Sequence, residues 1–221
     1  MSAGHSAKGL FRATGKQAKP IMIDLIDGEA VYCDERVRDA ADFYPTPPEP
    51  TRALLRAEMA RLRDFPVIWE PACGDGAMLA EIRAAGHHAV GSDMIDRGAG
   101  GVIESFYGFV APLAPAIVTN PPFQECNTGK WVRHALETLR VEYMALLLPL
   151  TWPGAMSRAG LWSTHPPARV YLMRWRIDFT GAGAPPQLNA WFVWDGKRSP
   201  EDTRLLMLDR ADASITGRLD L

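Results

Sequence analysis

The feature that most restricts the fold is an alternation of short apolar runs with helical stretches between Val67 and Leu148. Val67-Ile68-Trp69 predicts a strand, Ala77 to Ala85 a helix stopped at Gly86, and Ala89 to Ser92 a second strand. Gly101 to Ile103 reads as a third strand and Ala116 to Thr119 as a fourth. Lys130 to Arg140 predicts another helix, followed by the strongly apolar strand Tyr143 to Leu148. Strands alternating with helices lie mostly parallel, because a crossover helix returns the chain to the same edge of the sheet. Beyond Pro149 the character changes. Arg169 to Phe179 and Leu188 to Trp194 are aromatic-rich and joined through Gly181, Gly183, Pro185 and Pro186. They predict an antiparallel hairpin at the sheet's edge. The expected architecture is α/β: a Rossmann-like, doubly wound, mostly parallel sheet with an antiparallel C-terminal hairpin.

Residues 1–20 are small and polar, with Lys8, Arg12, Lys16 and Lys19 and few large apolar groups, and read as a disordered tail. Residues 21–221 are expected to form a single domain. Ile21 to Leu25 and Ala30 to Tyr32 suit a hairpin around Asp27-Gly28. Glu49 to Arg63 has helical spacing, with Leu54, Leu55, Met59 and Leu62 on one side. With 221 residues, 47% of them hydrophobic, the chain can bury a substantial core.

A net charge of -2 provides no global field for nucleic acid and says nothing of a local patch. Cys33, Cys73 and Cys126 are isolated, which supports neither a disulfide framework nor a paired-cysteine metal site. No metal is expected, and a cytoplasmic, reducing setting is. No apolar run approaches the ~20 residues of a membrane span, and the first residues lack the apolar core of a secretion signal. His87 and His88 are adjacent, so their side chains face opposite ways.

Two loops carry the chemistry. Glu70-Pro71-Ala72-Cys73-Gly74-Asp75-Gly76 joins the first of these strands to its helix, and its glycines let the backbone approach a ligand. A dinucleotide fingerprint would place a third glycine at position 79, where this chain has Leu79. Asp93 ends the next strand, where a carboxylate can accept ribose hydroxyls, and Met94 can cover an adenine face. An adenosine carrying an amino acid, S-adenosylmethionine, suits two glycines without a phosphate-binding lysine.

The second loop is Asn120-Pro121-Pro122-Phe123, directly after the fourth strand. The prolines end the strand and bias Asn120 to extended geometry at the carboxyl edge, where open α/β sheets bind ligands. A positioned amide beside an aromatic face suits a planar substrate with an exocyclic amine.

Together with Phe43-Tyr44-Pro45-Thr46-Pro47, these segments resemble the amino-group DNA methyltransferases, most nearly the small adenine-N6 enzymes of phages and prophages. The resemblance spans roughly Asp42 to Trp194. It implies methyl transfer from S-adenosylmethionine to adenine N6 of DNA. Tyr44, Thr46 and Pro47 would cover the methionine part, Glu70, Ala72, Cys73, Gly74 and Gly76 would form the cradle, and Asp93 and Met94 would hold the adenosine. Glu104 or Ser105, with Phe106 behind it, falls where such enzymes hold the adenine amine. Catalysis would rest on Asn120, Pro121, Pro122 and Phe123, the Asn120 oxygen and Pro121 carbonyl accepting from the amine while Phe123 stacks on an extruded base. Lys130, Arg158 and Arg174 are candidates for substrate phosphates, within a set that includes Arg133, Arg169 and Arg176.

The same apparatus would serve RNA adenine or a protein glutamine, and a non-catalytic cofactor or nucleic-acid binder is the reading from another class. Target sequence and oligomeric state are not written in these residues. With little chain outside the core, short or absent sequence preference, or dependence on a partner, is expected.

Overall fold

The computed structural model describes residues 21–23, 30–32, 45–181, 183, 187–197 and 202–213. The expectations for residues 1–20, for Phe43 and Tyr44, and for Pro185 and Pro186 lie outside these. The chain divides into two units, residues 1–41 and 42–221. In the first, β1 (Ile21–Ile23) pairs antiparallel with β2 (Ala30–Tyr32), Met22 opposite Val31, as the hairpin reading requires.

The second unit is built on eight strands: β3 (Ile68–Glu70), β4 (Ala89–Asp93), β5 (Val102–Ile103), β6 (Ala116–Thr119), β7 (Tyr143–Pro149), β8 (Arg169–Met173), β9 (Asn189–Asp195) and β10 (Arg204–Leu208). Their spatial order is β10-β8-β9-β7-β6-β3-β4-β5. Every neighbouring pair is parallel except those of β9, which runs antiparallel to both β7 and β8. All strands but β9 therefore point their carboxyl ends to one edge, and β6 lies between β3 and β7 near the middle.

Period-2 alternation supplies two cores, one on each face. Ile68, Ala116, Val118, Tyr143, Ala145, Leu147, Trp191 and Val193 point to one face, under α1 (Pro48–Ala57) and α3 (Ala77–Ala84). Trp69, Ile117, Met144, Leu146, Leu148, Phe192 and Trp194 point to the other, under α5 (Lys130–Arg133) and α6 (Ala159–Thr164). A strand covered on both sides reads as a continuous apolar run, which is what β7 shows.

Three local expectations are corrected. The Glu49–Arg63 helix breaks at Glu58 into α1 and α2 (Met59–Leu62), where the Glu58 carboxylate turns to Arg169. The helix from Lys130 passes after Arg133 into a π-helical segment, His134–Thr138. The hairpin does not form the edge: β8 stops at Met173, Trp175 and Phe179 fold onto the core, and β10 pairs parallel outside β8. No helix of the described residues is long and apolar enough to cross a membrane.

Candidate active site

The carboxyl ends of β3, β4 and β6 are neighbours, so three loops converge at one edge. At the end of β6, Asn120 donates its Nδ2 to the Thr46 hydroxyl at 3.0 Å. Thr46 is 8% exposed and stands two residues before α1. The other end of the same carboxamide, Asn120 Oδ1, is buried and has no hydrogen-bond partner. A buried acceptor without a donor costs roughly 1–3 kcal/mol, which makes it an unusual thing for a fold to retain. Pro121 is buried, and Pro122, at φ -56° and ψ 118°, starts the single turn α4 (Phe123–Cys126). Phe123 rests half-buried on the second core and keeps part of its ring free.

The end of β3 carries a second uncommitted group. Glu70 is 2% exposed and its Oε2 has no partner. Burial holds its carboxyl well above the usual range, and the charges of Asp93 and Asp75 add to this; the Leu79 backbone N–H opposes it. Gly74 and Gly76 have φ of 53° and 86°, backbone that a side chain would strain. Ala72 is half-buried between them and β3. Cys73 is buried, and its thiol is pushed up to about 11 chiefly by burial and then by Glu70 and Asp93, so it is an inert filler.

Position 79 explains how the chain does without a third glycine. A Cβ on Gly91 would lie 2.7 Å from Leu79 Cδ1 and 2.9 Å from Cys73 Sγ. The small residue that lets the helix approach the sheet has moved from α3 to β4. The signal was a glycine inside a strand, which marks a close approach, but its partners are not sequence neighbours.

Asp93 is already engaged. Its Oδ2 accepts the Gly74 N–H at 2.8 Å, and its Oδ1 accepts the Ile95 N–H at 3.0 Å and an N–H of Arg97 at 3.2 Å. A carboxylate has about four acceptor sites, so a ribose at this point shares Asp93 with the loop or displaces Arg97. Met94 beside it is 70% exposed. Glu104 Oε1 accepts the Ser105 N–H at 2.8 Å, and Ser105 Oγ caps the following turn through the Tyr107 N–H. Phe106 faces inward, stacked on Trp131 with ring centroids 3.9 Å apart.

The cations sort by exposure. Lys130 is exposed, with Nζ 4.1 Å above the Tyr107 ring. Arg174 is exposed, 3.4 Å from Asp209. Arg158 and Arg169 are each 6% exposed and serve the interior, so neither guanidinium lies on a phosphate-facing surface. Arg158 donates to backbone carbonyls and Arg169 to Glu58 and Asp195. Among the described residues no group of three or more His, Cys, Asp or Glu could hold a metal ion. The structure thus brings Thr46 to Asn120, Asp93 to Gly74 and Cys73 to Gly91, and turns Phe106 and Arg158 inward.

The sequence matches no protein-family model and no curated protein. Its structure is similar to a proposed RNA methyltransferase of Pyrococcus horikoshii, with a TM-score of 0.53 and 11% identity over 70% of this chain and 87% of that one. Looser likenesses are spermidine synthase in complex with the transition-state analogue AdoDATO (TM-score 0.47, 14% identity, covering 68% of this chain and 60% of that one) and a modification subunit of a proposed type I restriction enzyme from Vibrio vulnificus (0.42, 13%, 68% and 44%). With its parallel strands and single reversed strand β9, the chain has the α/β fold of the class I methyltransferases.

Proposed function

We propose that this chain transfers a methyl group from S-adenosylmethionine to the exocyclic N6 of adenine in DNA. The observation that carries the reading is the carboxamide of Asn120, anchored by Thr46 at one end and presenting a buried, unpartnered oxygen at the other. The lone pair of an adenine amine is delocalised into its ring. Two acceptors aimed at its hydrogens, Asn120 Oδ1 and the Pro121 carbonyl, favour a pyramidal nitrogen with its lone pair available. Thr46 fixes which end of the amide faces the substrate, and Phe123 offers the flat surface against which an extruded base stacks.

The cofactor end fits its ligand in kind. Gly74 and Gly76 hold left-handed backbone that a side chain would strain, Glu70 Oε2 is a buried oxygen without a partner, and Asp93 retains capacity for a hydroxyl. When bound, S-adenosylmethionine would supply a methyl group on a positively charged sulfur. Catalysis by the chain itself is then positioning and electrostatic complementarity.

Asn120→Ala tests the assignment. Transfer of labelled methyl to DNA should fall by roughly a hundred- to a thousandfold, while calorimetric cofactor affinity stays within about threefold because the cradle is intact. Retained transfer, or loss of cofactor binding in step with activity, contradicts it. RNA and glutamine peptide assayed in parallel distinguish the other planar amines the same acceptors could serve.

A further inference from the structure

The loop after β7 has a feature that the amine chemistry leaves unused. It passes through two short 3-10 turns, Trp152–Gly154 and Met156–Arg158, at the carboxyl edge of the sheet. Both ends are fastened to the turn that begins at Phe123. Trp152 is 3% exposed and donates Nε1 to the Cys126 carbonyl at 3.0 Å. Arg158 donates Nε to the Trp152 carbonyl at 2.6 Å and a second N–H to the Asn127 carbonyl. The Ser157 hydroxyl donates to that same Asn127 carbonyl at 3.4 Å.

Among the described residues no carboxylate is paired with Arg158. Burying a guanidinium on carbonyls and the Trp152 ring, whose centroid is 5.2 Å away, without a carboxylate is costly, and its pKa is lowered by that burial. The fold accepts this cost to join the loop rigidly to α4.

Between the two anchors stands Met156, 87% exposed. A single exposed apolar side chain is ordinary on a protein surface. Here it sits on a turn that is fixed at both ends and tied to the same segment as the candidate stacking ring. Lys130, in the helix that follows α4, is exposed, with its Nζ over the Tyr107 ring. An exposed apolar side chain on a fixed turn, at the sheet edge where the proposed reaction would receive its DNA, suits the apolar stack inside a base-paired duplex.

We propose that Met156 enters duplex DNA at the target base pair and fills the space left when the base is turned out. The proposal rests on the adenine-in-DNA reading above. Extrusion leaves a gap in the stack and an orphaned partner base, and an apolar wedge in that gap recovers part of the lost contact. Methionine suits the task, being unbranched and polarizable, so it adapts to an irregular gap. The anchored loop reduces the ordering required on binding.

The test uses Met156→Ala and Met156→Leu with one target adenine presented three ways: in a duplex, in a single strand, and in a duplex opposite an abasic site. Met156→Ala should slow transfer roughly tenfold on the duplex and by less than about twofold on the single strand, where there is no stack to open. The deficit should shrink opposite the abasic site, and Met156→Leu should keep most of the duplex activity. Fluorescence of 2-aminopurine at the target position should rise less on binding the alanine variant than on binding the wild type. A variant that matches the wild type on duplex, or loses equally on duplex and single strand, overturns the proposal while leaving the DNA reading intact. A wild type inactive on every DNA form overturns that reading itself.

Discussion

The two edges of the sheet handle buried polar side chains in opposite ways. At the amino edge, Glu58 accepts two N–H groups of Arg169 at 2.7 and 2.8 Å and the hydroxyl of Tyr171. Asp195 accepts from Arg169 and from Arg61, each at 3.0 Å. Tyr143 Oη and Arg61 Nη2 lack partners there, but among the described residues no carboxylate oxygen at that edge does. At the carboxyl edge, Glu70 Oε2, Asn120 Oδ1 and Thr119 Oγ1 are all buried and unpaired. A matched network ties α1 and α2 to β8 and β9 and serves the fold. Unmatched polar atoms along a neighbouring row of strand ends weaken the fold, and under the proposed function Glu70 and Asn120 would meet cofactor and substrate.

This contrast predicts effects of opposite sign. Removing a partner at the amino edge should be the most damaging: Arg169→Met leaves Glu58 and Asp195 buried without their shared cation. It should lower stability by about 3–5 kcal/mol in chemical denaturation, with cofactor affinity of the folded fraction unchanged. If the variant is as stable as wild type, the network is not what holds that edge. Gly91→Ala should cost about 1–3 kcal/mol by overpacking, because its Cβ would strike Leu79 and Cys73. Unlike Arg169→Met it should also weaken cofactor binding, since Cys73 belongs to the proposed cradle, and unchanged affinity would detach the cradle from this packing.

Glu70→Gln should move the other way. Its folded-state pKa lies above the ordinary value of 4.5, so the folded protein holds a proton that the unfolded chain releases. Wild-type stability therefore falls as pH rises from about 4.5 towards the raised value, and is flat beyond it. The glutamine variant lacks this penalty. Its melting temperature should exceed the wild type's at neutral pH, with the gap closing near pH 4, while its cofactor affinity drops. A gap that widens toward acid would contradict the protonated Glu70.

What was legible in the sequence was local. β6 is a β-branched run ended by two prolines, and the loop after β3 marks itself with Gly74 and Gly76. Both readings needed only adjacent residues. The missed features depend on residues far apart. β10 is Arg-Leu-Leu-Met-Leu, without a β-branched residue to mark it as a strand, and its pairing with β8 is supplied by the fold. The need for glycine at position 91 arises from Leu79 and Cys73. Arg158 and Arg169 look like surface cations beside many others, and only the carbonyls of Trp152 and Asn127, or the carboxylates of Glu58 and Asp195, draw them inside. The Asn120–Thr46 bond spans 74 residues, and residue types alone do not announce it.

The most direct measurement is the chemical identity of the product. Duplex DNA incubated with the protein and methyl-labelled S-adenosylmethionine, then digested to nucleosides, should carry its label in N6-methyladenine, and the Asn120→Ala protein should leave the DNA unlabelled. Label recovered in another nucleoside, or only in RNA or peptide assayed alongside, would contradict the account.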